Sequence, residues 1–334
     1  MLGISRGTVS LALSDSPLIK ESTKERIKQL AREVNYLPSD IGRSLVTGRT
    51  YTIGVLIPRF SVTFYTEIAD EIQTGLMEKG YSGIILNVTT GEMMEKAMEM
   101  LIRKKVDGII SFAHIDSYES RINPKETGMF IIENSISENG DYVVCNKYAG
   151  AISMMEHLIM LGHRKIGFIC YEDKNDERFM AYKDSLLRHG LLFKDEWAVH
   201  GSGFHEEGYR NMQRILSLPD KPEAVFAMND LAAIGGIRAI KEAGLNIPGD
   251  IAIVGFDNIK EGEYMPVSLT TVDQKKKELA RKSVEALLHK IENPEDMENY
   301  HMVIEPELII RESCGYHLRE RKSVQNNGGA KCTE

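Results

Sequence analysis

Carboxylates, amides and aromatic rings recur in this sequence where apolar runs end. Pro58 to Phe64 follow YTIGVLI, Glu133 and Asn134 follow FII, Asn229 and Asp230 follow VFAM, and Asp257 and Asn258 follow VGF. Such a mixture can hydrogen-bond a polyhydroxylated or nitrogenous small molecule held between apolar ring faces. The motifs of a catalyst are missing: there is no GxGxxG after a strand, no GxxxxGK[ST] and no GxSxG. The expectation is a binder, not an enzyme, and no cofactor is implied. Each residue also has a plainer reading. Asp257 after a strand is more often a turn or helix cap than a ligand contact, Arg178 is by default a solvated helix residue, and Phe64 and Tyr65 serve equally as core. His157, His163 and His205 have no ligand-like spacing and read as structural.

Strands must hold these positions, and the pattern supplies them. After YTIGVLIP come FYTEIADEIQTGLMEKG with helical period, YSGIILNV as strand, MMEKAMEMLIRKK as helix and VDGIISFA as strand. A second series starts at HRKIGFICY and runs through a helix near 177 to 189, EAVFAMN, DLAAIGGIRAIKEAG and IAIVGFD. Strands alternating with helices of this length mean βαβ units and parallel sheets. Two doubly wound series predict two lobes, and ligands bind beyond the carboxyl ends of such strands.

The first 49 residues differ from the rest. They carry eight Lys/Arg against five Asp/Glu, so the head is +3 while the whole chain is −8. A basic head on an acidic body suits a small module that meets phosphates. Ser22-Thr-Lys-Glu25 reads as a capping box ahead of Ile27, Leu30, Ala31 and Val34, predicting a helix over about 23 to 35 that stops at NYLP. Arg6 to Leu13 carries Val9, Ala12 and Leu13 on one face, and SDIGRSLVTGR makes one or two marginal turns. Cys145, Cys170, Cys314 and Cys332 lie far apart without CxxC or His at metal-ligand spacing, which suggests neither a zinc site nor a disulfide framework and fits a reducing cytoplasm. No signal peptide or membrane span is recognisable. The polar tail from 316 to 334 is expected to be disordered.

TVSLALSD, the helix ending NYLP, RSLVTGRTYTIGVLIP, LGHRKIGFI, NDLAAIGGIRAIKEAGLNIPGDIAIVGFDN, LTTV and EPELIIRES stand in one order from about Leu2 to Ser313. In that order they resemble the lactose-repressor (LacI/GalR) family of bacterial transcription regulators. The resemblance implies an α/β chain with a partial helix-turn-helix over 1 to 37 and a hinge helix over 38 to 49. Two doubly wound parallel-sheet lobes of the periplasmic-binding-protein type I kind would fill 50 to 315. Chain crossing would assign 51 to 162 plus 274 to 302 to one lobe and 163 to 273 plus 303 to 315 to the other. Met1-Leu2-Gly3 stands where the family's head turns out of its first helix, so that helix is expected to be missing from this chain, most simply through a misplaced start.

The resemblance also assigns roles. SRGTVSLALSD becomes the recognition helix, with Arg6, Gly7 and Leu11 at base-reading positions and Ser5, Thr8 and Ser10 at phosphates. Leu45 becomes the wedge that enters the minor groove. Gly42 costs about 1 kcal/mol of helix propensity, so the hinge helix is expected only on DNA. Phe64, Tyr65, Glu133, Arg178, Phe204, Asn229, Asp257 and Gln274 fall at cleft positions, Arg178 and Asp257 as an opposed donor and acceptor for sugar hydroxyls. The implied protein is a cytoplasmic homodimeric repressor of double-stranded operator DNA, answering to a small effector, most simply a sugar. The alternatives are a solute receptor without DNA binding and a regulator answering to a protein partner.

Overall fold

The computed structural model describes residues 4–13, 15–36, 40–113, 130–133, 140–171, 175–296 and 298–316. The expected disordered tail beyond 316, Asn134, Pro38 and Met1-Leu2-Gly3 lie outside the described residues, as do the side chains of Arg6, Ser10, Leu45 and Glu133.

The head is two packed helices, α1 (Arg6–Leu13) and α2 (Glu21–Glu33), closed by buried Ala12 and Ile27. The capping box is not made. Helix α2 starts at Glu21 with extended Lys20 as N-cap and no side-chain cap, because the carbonyl of Lys20 already takes the amides of Thr23 and Lys24. Ser22 and Glu25 therefore fall inside the first turns. The hinge α3 (Asp40–Thr47) forms two turns, against the expectation that Gly42 keeps it unformed until DNA orders it. Local contacts offset the glycine: Thr47 Oγ1 donates to the Arg43 carbonyl at 3.0 Å, and Gly48 ends the helix at φ 72°.

The body begins with β1 (Thr52–Ile57), α4 (Thr63–Glu78), β2 (Ser82–Asn87), α5 (Gly91–Lys104), β3 (Gly108–Ser111), β4 (Phe130–Glu133) and β5 (Asp141–Cys145). Then come α6 (Lys147–Met160), β6 (Ile166–Tyr171), α7 (Glu177–Arg188), β7 (Ala198–Gly201), α8 (His205–Ser217), β8 (Ala224–Ala227), α9 (Asp230–Glu242) and β9 (Ala252–Val254). The chain closes with α10 (Lys260–Glu263), β10 (Thr271–Asp273), α11 (Lys276–Glu292), β11 (His301–Ile304) and β12 (Glu307–Ile309).

Among the described residues three sheets form. One is wholly parallel in the order β11-β5-β4-β3-β1-β2, a second wholly parallel in the order β7-β6-β8-β9, and β10 pairs antiparallel with β12. Strand β1 alternates faces as a covered parallel strand must. Ile53, Val55 and Ile57 pack with Ile68 and Ile72 of α4 and Leu279 and Leu287 of α11, while Leu56 packs with Met98 and Leu101 of α5.

Two expected lobe limits move. Helix α6 falls before residue 162, yet Ala151, Met154, Met155 and Leu158 pack into the core around the second sheet. Gly150 permits this, since a Cβ there would sit 2.9 Å from Val272 and 3.1 Å from the Phe256 ring. The crossing falls near Asn146. At the other end β11 pairs with β5 through Ile304, past the expected limit at 302.

Candidate functional site

The carboxyl ends of both parallel sheets converge on one cavity of 670 Å³, a volume suited to a small ligand. Each sheet reverses strand order beside its first strand, β1 between β2 and β3 and β6 between β7 and β8. Such switch points open the crevice in which α/β folds bind. The cavity collects Phe64, Tyr65, Arg178, Phe204, Asn229, Asp257 and Gln274, every expected cleft residue whose side chain is described. Arg59, from the expected Pro58 to Phe64 stretch, also lines it, as do Lys147, Tyr171 and Asp176, which were not foreseen.

Arg178 is buried, and Asp176, not Asp257, is the carboxylate that grips it. Asp176 Oδ1 accepts from the Arg178 backbone amide at 2.9 Å and from Nε at 3.0 Å, while Oδ2 accepts from Nη2 at 2.6 Å. Asp176 is also the N-cap of α7, so one carboxylate starts the helix and orients its guanidinium. Nη1 donates to the Met228 carbonyl at 2.8 Å, and the rings of Tyr171 and Phe256 lie 5.1 and 5.3 Å from the guanidinium carbon. These bonds engage one N–H on each terminal nitrogen and leave the other on each for a ligand. Burial works against the Arg178 charge, and Asp176 more than offsets it, holding the guanidinium above its ordinary range. The Asp176 carboxyl is held below its ordinary range: burial opposes this and Arg178 prevails. The sequence signal for Asp176 was its position just ahead of the helix, which reads as a cap alone.

Asp257 is buried at the end of β9 with φ 118°, and Asn258 follows at φ 50°. Consecutive residues in the positive-φ region are a strained backbone held by its surroundings. Here Lys276 Nζ donates to both carbonyls, at 2.6 and 2.7 Å, and Gln274 Nε2 donates to Asp257 Oδ1 at 2.6 Å. Burial pushes the Asp257 carboxyl up to about 6, against the pull of Arg178, Gln274 and Lys276. Asp257 is thus an under-compensated acceptor facing the cavity.

Asn229 differs from the expected contact. Its Oδ1 caps α9 by accepting from the Ala232 amide at 2.9 Å, and Nδ2 donates to Tyr171 Oη at 3.1 Å and the Gly203 carbonyl at 3.0 Å. The amide is committed to holding Tyr171 and the loop before Phe204. The Phe204 ring lies 4.8 Å under the Arg59 guanidinium. Phe64 is both core and cleft, since it packs on Leu231 and Ile259 from the other sheet's side and stands edge-on to Tyr65 at 5.4 Å.

In the head, Ser5 is engaged rather than free: its Oγ accepts from the Thr8 amide at 3.1 Å and lies 3.0 Å from Thr8 Oγ1, starting α1. Gly7 and Leu11 are exposed on that helix. His157 is structural, its Nε2 lying 3.3 Å from Cys314 Sγ in the core. Among the described residues no helix is long and apolar enough to cross a membrane.

Residues 155–314 match the periplasmic binding protein-like domain, and residues 2–39 match the bacterial regulatory proteins of the lacI family. The HTH-type transcriptional repressor PurR of Mannheimia succiniciproducens is 30% identical over 94% of this chain and 96% of its own length. The ribose operon repressor of Haemophilus influenzae is 31% identical over 93% of this chain and 95% of its own length. The structure of the transcriptional regulator CelR in complex with cellobiose superposes with a TM-score of 0.71 at 26% identity, covering 93% of this chain and 96% of that one. A helix-turn-helix head joined to an α/β body with a cleft between two parallel sheets, and relatives alike over nearly their whole length, lead to one conclusion: the chain belongs to the lacI family of DNA-binding transcriptional regulators.

Proposed function

We propose that this chain is a cytoplasmic repressor whose hold on operator DNA is set by a small polar effector bound between its two sheets. The observation that carries the reading is the cavity at the strand carboxyl ends, where Arg178 offers uncommitted donors and Asp257 an under-compensated acceptor. Opposed donors and acceptors of this kind discriminate hydroxyl patterns, because a mismatched ligand leaves a buried group unpaired. The ribose operon repressor and the CelR–cellobiose complex support a sugar or close relative as effector. Glu133 is the last residue of β4, paired with Ser111 of β3 at the carboxyl end of the sheet, and completes the proposed set. Phe64, Tyr65 and Phe204 supply apolar faces, while Asn229 and Gln274 hold the others in place.

In the head, Arg6 reads guanine through a bidentate pair, Gly7 lets the helix approach, and Leu11 offers only apolar contact. Thr8 and Ser10 bind phosphates, Ser5 acts by starting the helix, and Leu45 wedges the minor groove from the hinge. One reading helix covers one half-site, so the working unit is a homodimer on a near-palindromic duplex. The body divides into one lobe around the six-stranded sheet and one around the four-stranded sheet.

The test is selection of duplexes from a random pool by the full chain, followed by anisotropy titration of the winner with and without sugars. A recovered palindrome whose affinity changes with one sugar supports the reading. Failure to enrich any duplex at low salt refutes it.

A further inference from the structure

Among its described side chains the cleft carries one more cation than carboxylates, and the proposed Glu133 would bring the two to parity. Arg59, Lys147 and Arg178 line it against Asp176 and Asp257. Asp176 is committed to Arg178 through both oxygens. Lys276, at the rim, is tied to the carbonyls of Asp257 and Asn258 and to Glu67 at 3.2 Å. Arg59 rests on the Phe204 ring, and among the described residues no carboxylate pairs with it or with Lys147, whose ammonium has no hydrogen-bond partner there.

Lys147 also stands at an unfavourable place for a cation. It is the first residue of α6, a helix of 14 residues with no acidic side chain in its first turn. Helix N-termini carry a partial positive charge and unpaired amides, so a carboxylate is the favoured neighbour and an ammonium is not. Asn146 Oδ1 caps only the Ala149 amide, at 3.0 Å. Burial and then Arg178 hold the Lys147 ammonium below its ordinary range, outweighing the attraction of Glu177 and Asp176, neither of which pairs with it directly. An anionic ligand group would pair with Lys147, accept from the free amides at the start of α6 and relieve the repulsion from Arg178 at one stroke.

We infer that the effector is a small polyhydroxylated anion whose carboxylate or phosphate oxygens seat against Lys147 and the start of α6. Its hydroxyls then meet Asp257 and the free N–H groups of Arg178. This rests on the effector cleft proposed above and narrows its ligand from sugars at large to sugar acids or sugar phosphates.

Isothermal titration of the full chain with matched sets tests it: glucose, glucuronate and glucose 6-phosphate, then galactose and ribose with their acids and phosphates. One anion should bind at least about tenfold more tightly than its neutral parent, the order expected for a charge-assisted hydrogen bond. Lys147→Ala should abolish that advantage, Lys147→Arg should restore part of it, and added salt should erode it in the unmodified chain. An advantage confined to carboxylates identifies a sugar acid, and one confined to phosphates a sugar phosphate. Neutral parents binding as tightly as their anions, with Lys147→Ala without effect, overturn the inference and leave the cleft proposal standing. If no compound of any class binds, both fall.

Discussion

Asp257→Asn should make this protein more stable and less able to bind its effector. The carboxyl is buried, and burial lifts its pKa from the ordinary 3.8 to about 6. At neutral pH the folded chain must therefore hold a charge that its surroundings under-compensate. The interval of about two pH between the folded and unfolded values corresponds to about 3 kcal/mol. A group whose pKa is raised on folding is least costly below the unfolded value, and its penalty is complete once pH has risen past the folded value. The unmodified chain should therefore lose stability relative to the variant between about pH 4 and pH 6. Asparagine keeps the oxygen that accepts from Gln274 and has the shape of the aspartate it replaces, so the strained φ of 118° burdens both alike. Urea unfolding followed through Trp197, the single tryptophan, reads the lobe that contains Asp257. The variant should gain about 3 kcal/mol at pH 7.5, and linkage shrinks that gain to about 1 kcal/mol at pH 4.5. Effector affinity should fall at least about tenfold, since a neutral amide replaces a charged acceptor. A variant less stable than the parent at pH 7.5, or a gain that does not shrink at low pH, refutes the reasoning.

Arg178→Lys should weaken effector binding by at least about tenfold and destabilise the second lobe by about 3 kcal/mol, because one ammonium cannot serve both oxygens of Asp176 and the Met228 carbonyl. Calorimetry and urea midpoints check the two effects separately. Leu45→Ala should lower affinity for the selected duplex by about tenfold or more in anisotropy titrations if Leu45 is the proposed wedge that offsets base unstacking. Calorimetry should show its effector affinity unchanged. Arg49→Ala should leave effector affinity and folding intact while reducing the effect of ligand on DNA affinity, read by anisotropy with saturating effector. A full response retained in that variant excludes Arg49 as a coupling element.

The doubly wound order was legible because it rests on apolar runs alone. YTIGVLI and IAIVGF can be nothing but strands covered on both faces, and the residues just beyond their carboxyl ends must lie at a crevice. Asp257 was legible in position but not in energy, since its backbone strain and raised pKa depend on burial among groups such as Gln274 and Lys276, contributed 17 to 19 residues later. Asp176 was hidden by a double role: a residue that caps a helix two positions before an arginine gives no sign that it also grips the guanidinium. Lys147 was hidden more deeply, because only the convergence of α6 on the cleft sets its ammonium beside Arg178. The capping box failed for the opposite reason, a local motif overruled by a backbone that turned into the helix two residues early. Helix α6 strayed from the expected lobe because a pattern of apolar spacing says which face is buried, not against which sheet.

The geometry also joins the cleft to the segment after α3, the proposed hinge, through one rigid element. Helix α11 begins at the cleft, where Lys276 holds the carbonyls of Asp257 and Asn258 and pairs with Glu67 of α4. At its other end the Ile291 carbonyl accepts from Arg49 Nη2 at 2.7 Å, one residue past the turn that closes the hinge helix. Its 17 residues span about 25 Å at the α-helical rise. A ligand that draws in the Asp257 segment therefore pulls on one end of a helix whose far end holds the hinge. Further bonds cross the cleft beside it: Thr63 Oγ1 donates to Glu261 at 2.9 Å, and the Lys260 amide donates to Glu67 at 3.1 Å. Both fasten α4, the partner of α11 in the first core, to the segment that carries Asp257. Proximity alone does not make a coupling path; an element with two arrangements that both sites bias does. The strained backbone at Asp257 and Asn258 is a candidate for that element, because relaxing it would release Lys276. Whatever free energy the effector commits to that choice must reappear in its effect on DNA affinity, and the operator must alter effector affinity by the same factor.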